Sequence, residues 1–292
     1  MSRFFITVSI LIAFAVLGSG CSPVLVVNAL TPTDTYNASL DVAYGPDPRQ
    51  KVDIYQPRSA PQALLRHAAY PVVVFFHGGS WNYGDRKDYK FVGEALASRG
   101  IVAVVADYRL YPQVRYPDFL KDCAQAVAWT RREAAHYGGN PQQLFLMGHS
   151  AGAYNAAMLA LDPRWLAAQG ISPAVLAGWI GLAGPYDFLP IVNPDAQPVF
   201  NHPNYPAGTQ PIAYVSGKSP RVFLGVPIKD SVVNPERNTQ QLANKLRVAG
   251  VSVTLKRYEN VNHVTLIGAF ARPLRALAPV LEDVVGFVRE EK

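Results

Sequence analysis

A chain of 292 residues can build one large α/β domain or two small ones, and 49% hydrophobic with 16% charged residues is the composition of a globular protein with a sizeable core. The formal net charge is +6, but the basic residues are scattered, with nothing longer than pairs such as Arg131-Arg132 or Lys256-Arg257, and no nucleic-acid-binding motif appears. Two cysteines, Cys21 and Cys123, exclude a disulfide-stapled scaffold and a cysteine-clustered metal site.

Residues 1–20 stand apart from the fold. Arg3 is the only charge before Asp34, and Phe4 to Leu17 is an apolar run of 14 residues. That is short for a membrane span and suits the core of a secretory signal. Gly18-Ser19-Gly20-Cys21 follows and resembles a bacterial lipoprotein signal, in which the cysteine becomes the acylated N-terminus. Gly18 departs from the usual leucine, since Leu17 stands one place early. The expectation is an exported protein of the bacterial cell envelope, lipid-anchored at Cys21. Ordinary cleavage to a periplasmic or secreted form, or an uncleaved anchor, is the alternative. Residues 21–40 are rich in Pro, Thr, Asn and Ser without periodicity, and read as a linker or a first loop. Residues 41–292 then form a single domain.

Val42–Tyr44 and Val52–Tyr55 read as short strands around the turn at Gly45-Pro46-Asp47-Pro48. Pro71 to Phe76 is a continuous apolar run, the mark of a strand buried on both faces. A helix is expected from Asp85 to Arg99, stopped by Gly100, and a second buried strand over Ile101–Ala106. The next helix starts at Pro117-Asp118. Leu120, Cys123, Ala124, Val127 and Ala128 share one face of it, which makes Cys123 a buried apolar residue. Leu144–Met147 is a strand and Ala153–Leu161 a helix. Trp179–Ala183 is a strand. Leu189 to Pro220 holds seven prolines and no long apolar run, and is read as an irregular lid over about 189–220. Arg221–Val226 is a strand, Pro235–Ala249 a helix, Val251–Tyr258 a strand and Leu277–Arg289 the last helix. Strands alternating with helices predict a mostly parallel, doubly wound sheet with helices on both faces.

The most informative stretch is Gly148-His149-Ser150-Ala151-Gly152. G-x-S-x-G between a buried strand and a small-residue helix predicts a strained turn with Ser150 at its apex. An earlier motif, His77-Gly78-Gly79-Ser80-Trp81, follows the Pro71–Phe76 strand. With both motifs in this order, the chain from about residue 50 onward resembles the α/β-hydrolases of the esterase branch carrying H-G-G-x-W. Bacterial carboxylesterases and kynurenine formamidases share that layout.

A serine hydroxyl needs a base to become a nucleophile. Of six histidines, His263 follows the last strand, in the chain order Ser, acid, His of this fold. Six acids lie between: Asp162, Asp187, Asp195, Asp230, Glu236 and Glu259. Asp230 follows a buried strand and precedes a helix, and its Asp-Ser-Val-Val context resembles the family's D-x-x-V. Asp187, also at a strand end, ranks second. Ala151 N–H, at a helix N-terminus, is one donor for an oxyanion. The resemblance supplies the N–H groups of Gly79 and Ser80 as the others, with Gly78 allowing close approach. Ser80 replaces the more common third glycine. His77 is expected to brace this loop and His149 to shape the elbow. His202 belongs to the lid, where it could contact substrate. Trp81 is either pocket wall or core.

The expected function is a serine carboxylesterase acting on short to medium acyl esters, because the oxyanion loop comes without a separate large lid domain. Formamides or amides are the runner-up substrates. A catalytically silent surface binding protein is the other class, and the presence of candidates for all three triad positions argues against it. No cofactor or metal is called for. The partners expected are a small ester substrate and, through Cys21, a membrane.

Overall fold

The computed structural model describes residues 23–58 and 69–290. The expected signal segment 1–20, Cys21 and His67 lie outside the described residues. Sixteen helices and strands of regular type can be followed through them. They are α1 (Pro23–Ala29), β1 (Tyr36–Ala43), β2 (Lys51–Pro57), β3 (Tyr70–Phe76), α2 (Lys90–Ala97), β4 (Val102–Ala106), α3 (Asp118–Glu133), β5 (Gly139–His149) and α4 (Ala151–Leu161). There follow α5 (Pro163–Ala167), β6 (Leu176–Leu182), β7 (Val222–Pro227), α6 (Gln241–Val248), β8 (Val253–Tyr258), α7 (His263–Gly268) and α8 (Val280–Arg289).

The strands form one eight-stranded sheet in the order β1-β2-β4-β3-β5-β6-β7-β8. β1 pairs antiparallel with β2, and β2 with β4; every later pair is parallel. The continuous apolar runs have a simple cause. Alternate side chains of a strand point to opposite faces, and here both faces are covered. Val72, Val74, Phe76, Leu144 and Leu146 join one core with Leu120 and Val127 of α3 and Tyr154 of α4. Val73, Phe75, Phe145 and Met147 join the other with Val92 and Leu96 of α2 and Val284 of α8. Cys123 is fully buried in the first core. Burial pushes its thiol well above the usual range, which makes it inert.

Four expectations need correction. Residues 21–40 are not a bare linker, and the domain does not begin at 41. Within that span α1 is helical and β1 begins at Tyr36. Asn28 Nδ2 of α1 donates to Lys87 O at 2.8 Å, and β1 pairs with β2 as an edge strand. β1 is largely exposed and α1 is a half-buried helix of only 7 residues, so neither carries the apolar periodicity that would announce it. The final helix starts at Val280 and not at Leu277. Pro279 forces Ala278 into an extended conformation, so the 3₁₀ turn Arg272–Leu277 cannot run on into α8. The expected helix Pro235–Ala249 likewise opens with a π-helical turn, Glu236–Gln240, before α6. The helix expected over Asp85–Arg99 also divides, into a 3₁₀ turn Arg86–Tyr89 capped by Asp85 and then α2.

Candidate active site

Ser150 sits between β5 and α4 with φ 54° and ψ −121°, a strained conformation for a residue with a side chain. The flanking glycines are demanded by space. A Cβ on Gly148 would lie 2.1 Å from Gly152 O, and one on Gly152 would lie 1.9 Å from Phe76 O. Ser150 N–H donates to Leu182 O at 2.9 Å, so β6 holds the apex in place. The turn also aims the N-terminus of α4, and with it Ala151, at the hydroxyl.

The structure brings Ser150, His263 and Asp230 into one hydrogen-bonded chain. Ser150 Oγ lies 2.9 Å from His263 Nε2, and His263 Nδ1–H donates to Asp230 Oδ2 at 2.8 Å. The other carboxylate oxygen accepts from Val232 N at 2.8 Å and Val233 N at 2.9 Å. The Asp230 carboxylate has no exposed surface. Burial alone would raise its pKa. The His263 ring and the two backbone N–H groups outweigh burial and hold Asp230 below the ordinary carboxylate range. Asp187, the second-ranked acid, points elsewhere. It pairs with Arg237 at 3.4 Å, and Arg237 also donates to Leu189 O, tying down the start of the lid segment.

His263 is buried, with 8% of its surface exposed, and its backbone is held as well as its ring. His149 Nε2–H donates to His263 O at 2.8 Å, across 114 residues of sequence. Burial, with a smaller contribution from the nearby His263 ring, pushes His149 down to about 3, so it stays neutral.

The loop after β3 approaches the elbow from the other side. Gly79 (φ 115°), Ser80 (φ 47°) and Trp81 (φ 59°) are consecutive residues with left-handed backbone. Ser80 therefore bears a conformational cost of roughly 1–2 kcal/mol that the usual glycine would avoid. A Cβ on Gly79 would meet Tyr83 O at 2.1 Å, and one on Gly78 would come within 3.2 Å of Ser150 Cβ. Ser80 and Ala151 line the same cleft as Ser150. Gly79 is not part of that lining; its carbonyl accepts from Asn82 N and Tyr83 N, both at 3.0 Å, which fixes the turn.

Beneath this loop His77 makes the bracing bonds expected of it, within a cluster whose other members, Asp107, Arg86 and Tyr108, the sequence reading missed. His77 Nδ1–H donates to Gly78 O at 2.7 Å, and Tyr108 OH donates to His77 O at 2.9 Å with its ring stacked on the imidazole. His77 Nε2 stands 3.2 Å from Asp107 Oδ1, without the alignment of a hydrogen bond. Asp107 is buried and held by Arg86, which also bonds Asp53 and Asp41. Burial would raise Asp107, but His77, Arg49 and Arg86 together bring it below the usual range. The available signal was position, since Asp107 directly follows β4 at the catalytic end of the sheet, as Asp230 follows β7.

Trp81 is both core and wall. It is 3% exposed, its Nε1–H donates to Asn155 Oδ1 at 2.9 Å, and its ring packs edge-on against Tyr154 and Phe200. It also faces a cleft of about 80 Å³ with Phe188, Ile191 and Ala196. The segment 189–220 contains two 3₁₀ turns, Pro198–Phe200 and Pro211–Tyr214. Its first part walls the cleft. His202 does not line it and bonds Tyr205 OH at 2.7 Å. His136 is exposed against Tyr137.

An eight-stranded, mostly parallel sheet with this elbow, and with Ser, His and Asp side chains joined by hydrogen bonds at its C-terminal edge, is an α/β-hydrolase fold. The chain belongs to the BD-FAE family, whose model matches residues 52–246. It is 35% identical over 157 residues to a probable isoprenylcysteine alpha-carbonyl methylesterase of Oryza sativa subsp. japonica, covering 52% of this chain and 36% of that protein. The chain thus spans about a third of the length of that plant relative. A kynurenine formamidase of Danio rerio is 26% identical over 259 residues, covering 85% of this chain and 82% of its own. Among solved structures, an esterase B from Lactobacillus rhamnosis superposes with a TM-score of 0.71 at 20% identity, over 94% of this chain and 95% of that one. That likeness is one of fold.

Proposed function

We propose that the protein is a serine carboxylesterase that cleaves short to medium acyl esters. The single observation that carries this reading is the continuous chain from Ser150 Oγ through His263 to Asp230, at 2.9 and 2.8 Å, opening onto an apolar cleft. His263 Nε2 takes the Ser150 proton as Oγ attacks the acyl carbon. Asp230 holds the imidazole with its proton on Nδ1 and stabilises the imidazolium that forms. The oxyanion is received by Ala151 N–H and by the N–H groups of the Gly79-Ser80 turn. His263 then protonates the leaving alkoxide. Water, activated by the same histidine, releases the acid and restores Ser150. The narrowness of the cleft supports a short acyl group.

A second reading, hydrolysis of a formamide or amide by the same groups, is favoured by one observation. The kynurenine formamidase match runs over most of both chains, whereas the plant methylesterase match covers about half of this one. Export and lipid attachment at Cys21 belong to the proposal too, supported by the apolar run and the small residues before that cysteine.

A fluorophosphonate probe, followed by assays on acetyl and butyryl esters and on an N-formyl aromatic amine, tests the chemistry. Ser150→Ala should lose all labelling and turnover. Asp230→Asn should label slowly and turn over about 10⁴-fold less, as loss of the triad acid does in serine proteases. Labelling that survives Ser150→Ala would refute the assignment. Turnover of the formamide alone would favour the second reading.

A further inference from the structure

Between the lid segment and the Asp230 loop lies a groove of about 320 Å³ for which the chemistry above has no use. Pro185, Phe188, Val192, Val232 and Val233 line both this groove and the cleft at Ser150. The two are adjoining compartments that share these five residues. The cleft, at about 80 Å³, is far below the roughly 300–1,000 Å³ of ordinary ligand sites; only together with the groove does the site reach that range. An ester has two arms, and Val192 and Val232, which border both compartments, give one of them a path from the cleft into the groove. These valines are 86% and 58% exposed, so an arm lying over them gains apolar contact that the empty site lacks.

The side on which each arm lies follows from the proton path. Ser80 and Ala151, the oxyanion side, line the cleft and not the groove. Asp230, which holds His263 at 2.8 Å, lines the groove and not the cleft. When the tetrahedral intermediate collapses, the bond from the acyl carbon to the leaving oxygen breaks and His263 Nε2 delivers its proton to that oxygen. The leaving arm therefore departs on the imidazole side. At the far end of the groove stand Asp187, Asn234 and Arg237. Asp187 and Arg237 neutralise one another at 3.4 Å, so this end offers hydrogen bonds without a net charge.

We infer that the groove is the subsite for the leaving alcohol. It selects a ring-sized alcohol, apolar where it crosses the valines and carrying uncharged hydrogen-bonding groups at its far end. The inference rests on the esterase reading. Ser231 is exposed and lines the groove but not the cleft. Its side chain takes no part in the bonds that hold Asp230, which come from Val232 N, Val233 N and His263.

Ser231→Trp should fill the groove, with Ser231→Ala as control and melting temperature as a check on folding. Three esters are compared by kcat/KM in the full chain: ethyl acetate, 2-naphthyl acetate and ethyl 2-naphthoate. Ser231→Trp should lower kcat/KM for 2-naphthyl acetate by about tenfold or more, the loss of apolar contact for one ring, and change ethyl acetate less than about twofold. Ser231→Ala should leave both esters near wild type. An unchanged rate on 2-naphthyl acetate, an equal loss on ethyl acetate, or a loss confined to ethyl 2-naphthoate would each overturn the assignment. Wild type that cleaves no ester at all would overturn the esterase reading itself, a result unlike any pattern among the variants.

Discussion

Ser150, the pair His263 and Asp230, and His149 illustrate three grades of legibility at the residue scale. Ser150 announces itself, because only a strand, a tight turn and a helix make sense of two glycines around it. His263 and Asp230 follow from chain order and from their places after strands. His149 was legible only as part of the elbow motif. Its bond to the backbone of His263 joins residues 114 apart, and no local pattern encodes such a contact. That bond gives a pH-dependent prediction. The ordinary pKa of a histidine is 6.5, and in the folded chain His149 is pushed down to about 3. Between those values the unfolded chain binds a proton that the folded chain refuses, so the folded state loses stability as pH falls. One such proton costs at most about 1.4 kcal/mol per pH unit. His149→Asn can still offer an N–H to His263 O but cannot titrate. Urea melts from pH 7 to 4 should therefore show a shallower acid loss for the variant than for wild type. Parallel slopes would contradict the role assigned to this ring.

The elements that carry the site differ in how they are built. The elbow is local: Gly148 and Gly152 are neighbours in sequence and in space. The lid segment is held by contacts from afar. Asn238 Oδ1 accepts from both Tyr186 N at 2.7 Å and Asp187 N at 2.9 Å, while Arg237 ties Asp187 and Leu189. Both residues sit in the π-helical turn before α6, which places two adjacent side chains toward the lid. The reading of Pro235–Ala249 as one helix rested on Leu242 and Leu246. Those residues report only the last turns, so the wider first turn left no trace in the periodicity. Asn238→Ala strands two backbone donors near the site. It should lower stability by about 1–3 kcal/mol in denaturant melts and speed proteolytic nicking within 189–220. A variant with wild-type stability and protease resistance would show that the lid is anchored by other means.

For the whole molecule, the prediction concerns where it works. The anchor proposed at Cys21 lies just before α1 in sequence. Cys123 is buried and unreactive, which leaves Cys21 as the other cysteine available to a lipid. Expressed in a bacterial host with an alkynyl palmitate, the wild type should incorporate label and fractionate with membranes. Cys21→Ala should carry no label. Equal labelling of the two proteins would exclude the anchor at this position.

The sequence by itself determined the sheet, the elbow and the order Ser, acid, His. Each depends on short-range chemistry: apolar runs for strands buried on both faces, glycines where a Cβ would strike backbone, and small residues to start α4. Tertiary structure alone decided the rest. It showed that Asp187 turns to Arg237, that Asp107, Arg86 and Tyr108 support the loop after β3, and that a second compartment adjoins the cleft. These features arise where segments separated by tens of residues meet at the C-terminal edge of the sheet. Their energies are ion pairs, hydrogen bonds and packing between distant side chains, which leave no periodic signal along the chain.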